Sequence, residues 1–350
     1  MTPAGARIAA AIAAQGPIPL AQFMTVALLD PQCGYYATRD PFGAAGDFVT
    51  APQVSQMFGE LVGLWLAQAW LDQGKPARPL LVELGPGRGT LMADALRAMA
   101  VVADFRDAVE IVLVEASTAL RTAQAAALAP LGKTPRWARE LSEIEADRPL
   151  FLIANEFFDA LPIRQFVKTE RGWCERMVGL DARGALAFTL SPVALPVGRV
   201  PANRDGAPPG GFYETAPAGD ALAEEIGHRI ARRGGAALVI DYGYDVPGFG
   251  ETLQAVARHA FADILRDPGA SDLTAHVDFG ALRDAAGRGG ARVHGPIGQG
   301  TFLRRLGIDA RAERLGAQAD RDRLVAPEQM GTLFQALAIV PRDATPPAGF

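Results

Sequence analysis

The sequence has few cysteines, no excess of positive charge and no long apolar run. Its 350 residues include only two cysteines, Cys33 and Cys174, too few for a disulfide scaffold or a cysteine-rich zinc site. Lysine and arginine number 34 against 39 aspartate and glutamate, which gives a formal charge of −5. That balance argues against a protein that holds nucleic acid or an anionic membrane by net charge. No apolar run reaches the roughly 18 residues of a membrane helix, so we expect no membrane insertion.

The start of the chain shows neither the basic and apolar stretches of a secretory signal peptide nor an evident transit peptide. Together with the low cysteine count, this predicts a cytoplasmic protein. Apolar residues are plentiful, at 49% against 21% charged residues. Such a composition is enough for a large core and argues against disorder.

Short apolar runs separated by helical patterns predict an open, doubly wound α/β sheet. Runs that are apolar throughout, without alternation, are typical of strands covered on both faces. Strands are expected at Leu80–Leu84, Glu110–Val114, Leu150–Ala154, Ala236–Ile240, Ala291–Val293 and Leu333–Val340.

The remaining patterns predict additions to this sheet. Residues 1–75 are expected to form an N-terminal helical arm with a lid loop, its helices broken at Gly16 and resuming from Val54 to Leu71. Residues 76–165 and 214–350 supply the two halves of the core. Between them, residues 166–213 contain β-like pieces and a Pro- and Gly-rich tail from Pro192 to Gly211, which suggests an inserted subdomain.

The loop after the first expected strand contains three glycines, Gly85, Gly87 and Gly89. Glycines at a strand-to-helix turn let a ligand approach the bare backbone N–H groups. The dinucleotide spacing G-x-G-x-x-G is not met, because its sixth position is Thr90. Glu83, two residues ahead of the first glycine, disfavours a pyrophosphate but tolerates the amino group of S-adenosylmethionine. The loop therefore favours a methyl donor over a dinucleotide.

Other polar residues end the expected strands, at the edge where open α/β sheets bind ligands. Glu115 ends the second strand and can accept both ribose hydroxyls, as it would in a nicotinamide enzyme as well. Asn155, Glu156 and Asp159 follow the strand that starts at Leu150, where charged groups are costly unless they are paired or functional. Asn155 can also cap the following turn. Asp241 ends a later strand, where it either faces the methyl acceptor or caps the next element.

Six segments, in order along the chain, resemble the MidA-like family of class I S-adenosylmethionine-dependent methyltransferases. They are Gly46–Pro52, Phe58–Glu60, Val82–Leu91, Asn155–Pro162, Ile240–Gly243 and His276–Phe279. The resemblance runs from about Gly34 to the last strand. It implies the seven-stranded, Rossmann-like methyltransferase sheet, including a short third strand near residues 135–138, with S-adenosylmethionine as cofactor. One departure is Gln53, where most members would carry glutamate, so any role for a charge there is in doubt.

The mitochondrial members of this family are complex I assembly factors that methylate an arginine of a complex I subunit, which implies a protein substrate of that kind here. A guanidinium is planar and always protonated, so it is a poor nucleophile. Glu156 could hold it bidentately and align one nitrogen with the methyl group. We therefore take Glu156, Asp159, Asp241 and His276 as candidate catalytic residues.

The cofactor-binding candidates include two residues of the lid loop. Asp47 and Thr50 precede the helix that starts near Val54, and they either contact the cofactor or form a turn and a helix cap. His276, with Asp278 two residues later, could act as a general base or simply be structural. No second cluster of metal-ligand type accompanies this pair, so we expect no metal.

Two other functions stay open from the sequence. One is a non-catalytic assembly chaperone that retains the fold, and the other is a methyltransferase for small molecules. We expect no nucleic-acid partner, and the oligomeric state is left open.

Overall fold

The computed structural model describes residues 1–38, 49–196, 198–201 and 204–350. In that part of the chain, no helix is both long enough and apolar enough to cross a bilayer. The two cysteines are free thiols, with Cys174 buried and Cys33 half-buried.

The N-terminal arm is mostly helical. It contains α1 (Pro3–Gln15), β1 (Ile18–Pro19), α2 (Leu20–Met24), α3 (Tyr35–Thr38), α4 (Ala51–Val54) and α5 (Gln56–Asp72), with a π-helical turn at Thr25–Leu29. The first helix ends at Gly16, whose φ of 84° suits glycine. The long helix begins two residues later than expected because Ser55 is extended, and its hydroxyl accepts the Met57 N–H at 3.4 Å.

The first half of the core alternates strands and helices. It contains β2 (Leu80–Leu84), α6 (Thr90–Ala98), α7 (Ala103–Ala108), β3 (Glu110–Val114), α8 (Thr118–Leu128), β4 (Arg136–Ala138) and β5 (Leu150–Asn155). Single 3-10 turns lie at Met99–Val102, Ala129–Leu131 and Leu141–Glu143. The insertion then adds β6 (Arg164–Thr169), β7 (Gly172–Leu180), β8 (Leu186–Ala194) and β9 (Phe212–Thr215).

The second half of the core completes the sheet and adds short strands and helices. It contains α9 (Pro217–Arg233), β10 (Gly235–Tyr244), β11 (Gln254–Ala257), β12 (Ala260–Ala262), β13 (Asp272–Thr274), β14 (Val277–Asp278), α10 (Phe279–Arg288), β15 (Arg292–Gly298), α11 (Gln299–Arg305), α12 (Ile308–Leu315), α13 (Gln318–Val325) and β16 (Phe334–Val340). A π-helical turn at Pro327–Gly331 precedes the last strand.

The central sheet has the strand order β15-β16-β10-β5-β2-β3-β4, and β14 pairs with the end of β10. The pairs from β10 to β4 are parallel, whereas β16 runs antiparallel to both of its neighbours. The expected α/β fold with a seven-stranded methyltransferase sheet is confirmed. β15 is longer than expected because a register shift after His294 lets it continue past Gly295 and Pro296.

Apolar side chains project from both faces of this sheet into two core clusters. Leu81, Leu113 and Phe151 lie in one core cluster with side chains of α5, α6 and the C-terminal helices. Leu80 and Val82 lie in a second cluster with side chains of α9 and α10. The strands are apolar throughout because each face is covered by helices.

Two smaller sheets surround the core. The insertion strands pair in the order β1-β7-β6-β9, with β8 on the outer side of β7, so that β1 of the arm is part of the insertion's sheet. The third sheet, β12-β11-β13, was not expected. Its strands are short, and β11 and β12 are rich in alanine. The turn between β11 and β12 has Arg258 and His259 at positive φ instead of the usual Asn-Gly pair.

Parallel pairing brings the ends of four strands to one edge. Leu84 is in register with both Val114 and Ala154, and Asn155 is in register with Ile240. The residues that follow these positions therefore lie side by side, at the edge where open α/β sheets bind ligands.

Candidate functional site

The glycine loop is left-handed at all three glycines, with φ of 59° at Gly85, 52° at Gly87 and 80° at Gly89. A side chain at Gly85 would also meet the Phe157 ring, because a Cβ built there lies 2.9 Å from Cδ2. The loop turns directly into α6, for which Gly89 is the N-terminal cap. The sequence pattern thus forms a tight turn with a helix N-terminus behind it, a geometry suited to close backbone contact with a ligand.

Glu83 lies inside β2 and is buried, with only 3% of its surface exposed. Its Oε2 atom has no hydrogen-bond partner. Burial raises the pKa of this carboxyl from 4.5 to about 8. A buried acid without a cationic partner is costly to ionise, and a ligand with an ammonium group would supply that partner.

Glu115 is buried just beyond the end of β3. Its Oε1 accepts the Ser117 N–H at 2.7 Å, and its Oε2 accepts an N–H from the Gln124 amide at 3.2 Å. Burial raises the pKa of Glu115, while these two donors lower it. Each carboxylate oxygen keeps a free lone pair, as acceptance of a ribose hydroxyl requires.

Glu156 directly follows β5 and contacts the start of α4. It has a φ of 50°, a strained conformation for a residue with a side chain and one that often marks functional positions. Its Oε1 accepts the Ala51 N–H and an Asn155 side-chain N–H, both at 3.2 Å. Burial, and secondarily the charge of Asp159, raises the pKa of Glu156 to about 8. The Asn155 Oδ1 atom is buried without a partner.

Asp159 lies one turn further on and is also buried. Its Oδ2 accepts the Tyr242 hydroxyl at 2.7 Å, whereas its Oδ1 has no partner. Burial raises the pKa of Asp159 to about 6, and the tyrosine hydrogen bond opposes that rise. This arrangement leaves one buried carboxylate oxygen available near Glu156.

Asp241 is completely buried and holds the turn after β5. Its Oδ2 accepts the backbone N–H groups of Phe157, Phe158 and Asp159 at 3.0–3.2 Å. Its Oδ1 accepts the Tyr242 N–H at 2.9 Å. The structure therefore places Asp241 as a cap for the segment that carries Glu156 and Asp159.

A further acid approaches this cluster from β13. The Tyr36 hydroxyl donates to Asp272 Oδ1 at 2.7 Å, and Asp272 is buried. Its charge is close enough to contribute to the raised pKa of Glu156. The arm, β5, β10 and β13 thus meet around a group of acids.

His276 lies beside this group. Its ring packs edge-on against the Tyr242 ring, with centroids 5.5 Å apart, and its backbone N–H donates to Thr252 Oγ1 at 3.0 Å. Burial lowers the pKa of His276. Asp278 instead caps α10, because its Oδ1 accepts the Ala281 N–H at 2.9 Å. Among the described residues, no group of three or more His, Cys, Asp or Glu side chains could hold a metal ion.

Of the two lid candidates, Asp47 lies outside the described residues. Thr50 is buried at the start of α4, and its backbone N–H donates to Gln53 Oε1 at 3.3 Å. An amide oxygen provides this contact as well as a carboxylate would. A glutamine at position 53 therefore keeps the capping hydrogen bond without a charge.

Sequence reasoning assigned no role to Tyr242, Tyr36, Asp272 or Gln124. The sequence does contain a signal for Gln124. This residue lies between Leu120 and Leu128 on the buried face of α8, where an apolar residue is expected. The Tyr36–Asp272 pair is 236 residues apart in sequence, and no local pattern indicates such a contact.

The edge fits a cationic ligand of the S-adenosylmethionine type. Seven buried side-chain polar atoms without a partner occur among the described residues, and three of them belong to Glu83, Asn155 and Asp159. Two of these three are carboxylates, which attract the ammonium and sulfonium charges of such a ligand. The left-handed glycines leave backbone at the same edge free of side chains.

Comparison with known proteins agrees with this chemistry. The family model described as "Putative S-adenosyl-L-methionine-dependent methyltransferase" matches residues 61–297. "Protein arginine methyltransferase NDUFAF7, mitochondrial" from Mus musculus is 38% identical over 95% of this chain and 83% of its own length. The protein of the same name from Homo sapiens is 37% identical over 95% of this chain and 82% of its length.

A solved structure is similar over nearly the whole chain. It is a Burkholderia thailandensis protein bound to S-adenosyl-homocysteine, with a TM-score of 0.88 and 30% sequence identity. The match covers 99% of this chain and 93% of that chain.

These relatives contradict the expected cytoplasmic location. The mouse and human proteins, and a Drosophila melanogaster homolog, are named as mitochondrial. The expectation was wrong because composition and cysteine content do not determine the compartment of a protein. Location is determined by targeting signals that receptors recognise.

Proposed function

This chain belongs to the family of S-adenosyl-L-methionine-dependent methyltransferases whose model it matches, and from that premise we propose that it methylates an arginine side chain of a protein. The observation that carries the proposal is the pair formed by half-buried Glu156 and buried Asp159, in which the Asp159 Oδ1 atom has no partner at the edge of the sheet. The relatives named as protein arginine methyltransferases support the same acceptor.

The methyl-donor half of the site is formed by the ends of β2 and β3. S-adenosylmethionine supplies an electrophilic methyl group on a sulfonium. In this proposal, Glu83 and the loop from Gly85 to Gly89 bind the amino-acid end of the donor, and Glu115 accepts the ribose hydroxyls. Asn155 and the lid residues Asp47 and Thr50 complete this half.

The acceptor half is formed by the segment after β5. A guanidinium between Glu156 and Asp159 would give both acids the cation that their burial lacks. The two carboxylates would orient the planar group so that one nitrogen faces the methyl donor. Glu156, whose pKa is raised to about 8, is then suited to hold the proton that the methylated nitrogen must lose.

Two of the sequence candidates act indirectly in this proposal. Asp241 positions the segment by binding three successive N–H groups. His276 packs against Tyr242, which in turn holds Asp159. Both are therefore positioning residues.

We further propose that the acceptor is a subunit of respiratory complex I. The resemblance to the MidA-like family supports this choice. The acidic character of the acceptor half supports the more general point that the acceptor is cationic, as a protein arginine is. A buried apolar pocket without acids would suit a neutral small molecule better.

The test uses methyl-labelled S-adenosylmethionine and complex I isolated from cells that lack this protein. The wild-type protein should transfer label to an arginine, and Glu156→Gln should reduce kcat/KM by about 100-fold or more, since removing one partner of a buried charge pair costs about 3 kcal/mol. Binding of S-adenosylhomocysteine should stay within about 3-fold. Glu170→Gln, an exposed substitution in the insertion, is the matched control. Label on lysine, or full activity of Glu156→Gln, would refute the proposal.

A further inference from the structure

Gln124 connects two parts of the methyl-donor half that are distant in sequence. It is completely buried on α8. One N–H of its amide donates to the Gly87 carbonyl at 2.7 Å, and the amide nitrogen also donates to Glu115 Oε2 at 3.2 Å. The glycine loop and the acid after β3 are therefore held by a single side chain.

The orientation of this amide is fixed by β4. The Trp137 indole N–H, which can only donate, points to Gln124 Oε1 at 2.8 Å. The oxygen is thus assigned to the tryptophan side, and both amide hydrogens face the loop and Glu115. A flipped amide would place its oxygen against the Gly87 carbonyl and the Glu115 carboxylate, which is repulsive.

We propose that Gln124 is a positioning residue for the methyl donor, a role that rests on the proposed function of the glycine loop and Glu115. It sets the distance between the Gly87 carbonyl and the Glu115 carboxylate. It also turns Glu115 so that free lone pairs remain for the ribose hydroxyls. Of the buried residues of α8, Leu120 and Leu128 are apolar, and Gln124 is the polar one.

The close approach of α8 to the loop agrees with this role. A Cβ built on Gly89 lies 3.2 Å from the Gln124 Cα atom, so the loop has little room to move away from the helix. The amide therefore acts on a loop that is already confined on that side.

The test measures how the ribose hydroxyl is recognised. Dissociation constants are determined for S-adenosylhomocysteine and for its 2′-deoxy analogue. In the wild-type protein, loss of the hydroxyl should weaken binding about 10- to 100-fold, the range for a hydrogen bond to a charged acceptor. In Gln124→Met the same change of ligand should cost less than about 3-fold, because Glu115 is no longer held for that contact.

A purely structural role would weaken both ligands equally and leave their ratio at the wild-type value, which would overturn the inference. Gln124→Glu serves as a second variant because it keeps the acceptor for Trp137 and loses both donated bonds, and its ratio should also collapse. Gln73→Met is the matched control: Gln73 bonds the Gly235 backbone at the amino end of β10, so its ratio should stay at the wild-type value. A wild-type protein that binds neither ligand would refute the proposed function itself, whereas tight binding with unchanged ratios refutes only the role of Gln124.

Discussion

Glu83 allows the sharpest test of the donor half, because its burial has a calculable consequence for stability. The carboxyl is 3% exposed, its Oε2 atom lacks a partner, and its pKa is raised from 4.5 to about 8 by burial. Replacing it with glutamine keeps the shape of the side chain and removes the titration. Stability and ligand binding should then change in opposite directions.

The direction follows from proton linkage. Below about pH 4.5, Glu83 is protonated in both the folded and the unfolded state, and the folded protein has its full stability from this group. Between pH 4.5 and 8 the unfolded state loses the proton while the folded state keeps it, so the free energy of unfolding falls by about 1.4 kcal/mol per pH unit. Over the whole interval, the loss is on the order of 5 kcal/mol as an upper limit.

The assay is urea unfolding without ligand at pH 5 and pH 8. Glu83→Gln should match the wild-type protein at pH 5 to within about 1 kcal/mol and exceed it by several kcal/mol at pH 8. Glu170→Gln, an exposed control, should follow the wild-type protein at both pH values. A difference in unfolding free energy between Glu83→Gln and the wild type that does not grow with pH would contradict a raised pKa for Glu83 in the folded protein.

The same variant should bind S-adenosylmethionine more weakly. Loss of the carboxylate removes a charge-assisted contact to the amino group, which corresponds to about 2 kcal/mol, or about 30-fold in Kd. Calorimetric titration at pH 8 measures this change. Equal affinity would mean that Glu83 does not contact the donor.

Two further predictions concern the loop and the acceptor half. Gly85→Ala should lower both stability and affinity for S-adenosylhomocysteine, by about 1–2 kcal/mol for the left-handed backbone plus a clash with Phe157. Because the clash is absent without the ring, Phe157→Ala should destabilise the Gly85→Ala protein less than it destabilises the wild-type protein in urea unfolding. A Gly85→Ala variant with unchanged stability would contradict the geometry of the loop. Tyr242→Phe removes the hydroxyl that lowers the pKa of Asp159, so the acidic limb of the kcat/KM profile should move to higher pH. An unmoved limb with normal folding would show that Asp159 need not be ionised for substrate binding.

The positions of the strands and of the residues at their ends could be predicted from the sequence because the patterns that indicate them are local. Apolar runs place the strands, and parallel pairing then brings Gly85, Glu115, Glu156 and Asp241 to one edge. The roles of these residues could not be predicted in the same way. Whether Asp241 faces a ligand or caps a turn depends on the direction of three backbone N–H groups, which is known only from the structure.

Contacts between distant segments could not be predicted in this way. The Tyr36–Asp272 pair joins the arm to β13, and nothing near either residue in sequence indicates the other. The small sheet that carries Asp272 could not be predicted because its strands have only three or four residues, and β11 and β12 are rich in alanine, which has low β-propensity. Gln124 differs from these cases because its signal is local. It is a polar residue between two leucines on the buried face of a helix, but the sequence does not indicate which groups its amide contacts.

Whether this protein methylates an arginine can be measured by comparing methylated peptides between cells. Proteomes of cells with this protein, without it, and with the Glu156→Gln variant in its place are digested and examined by tandem mass spectrometry. We expect a methylarginine on one complex I subunit that is present only with the wild-type protein. A methylarginine that persists in the absence of the protein, or that Glu156→Gln restores in full, would contradict it.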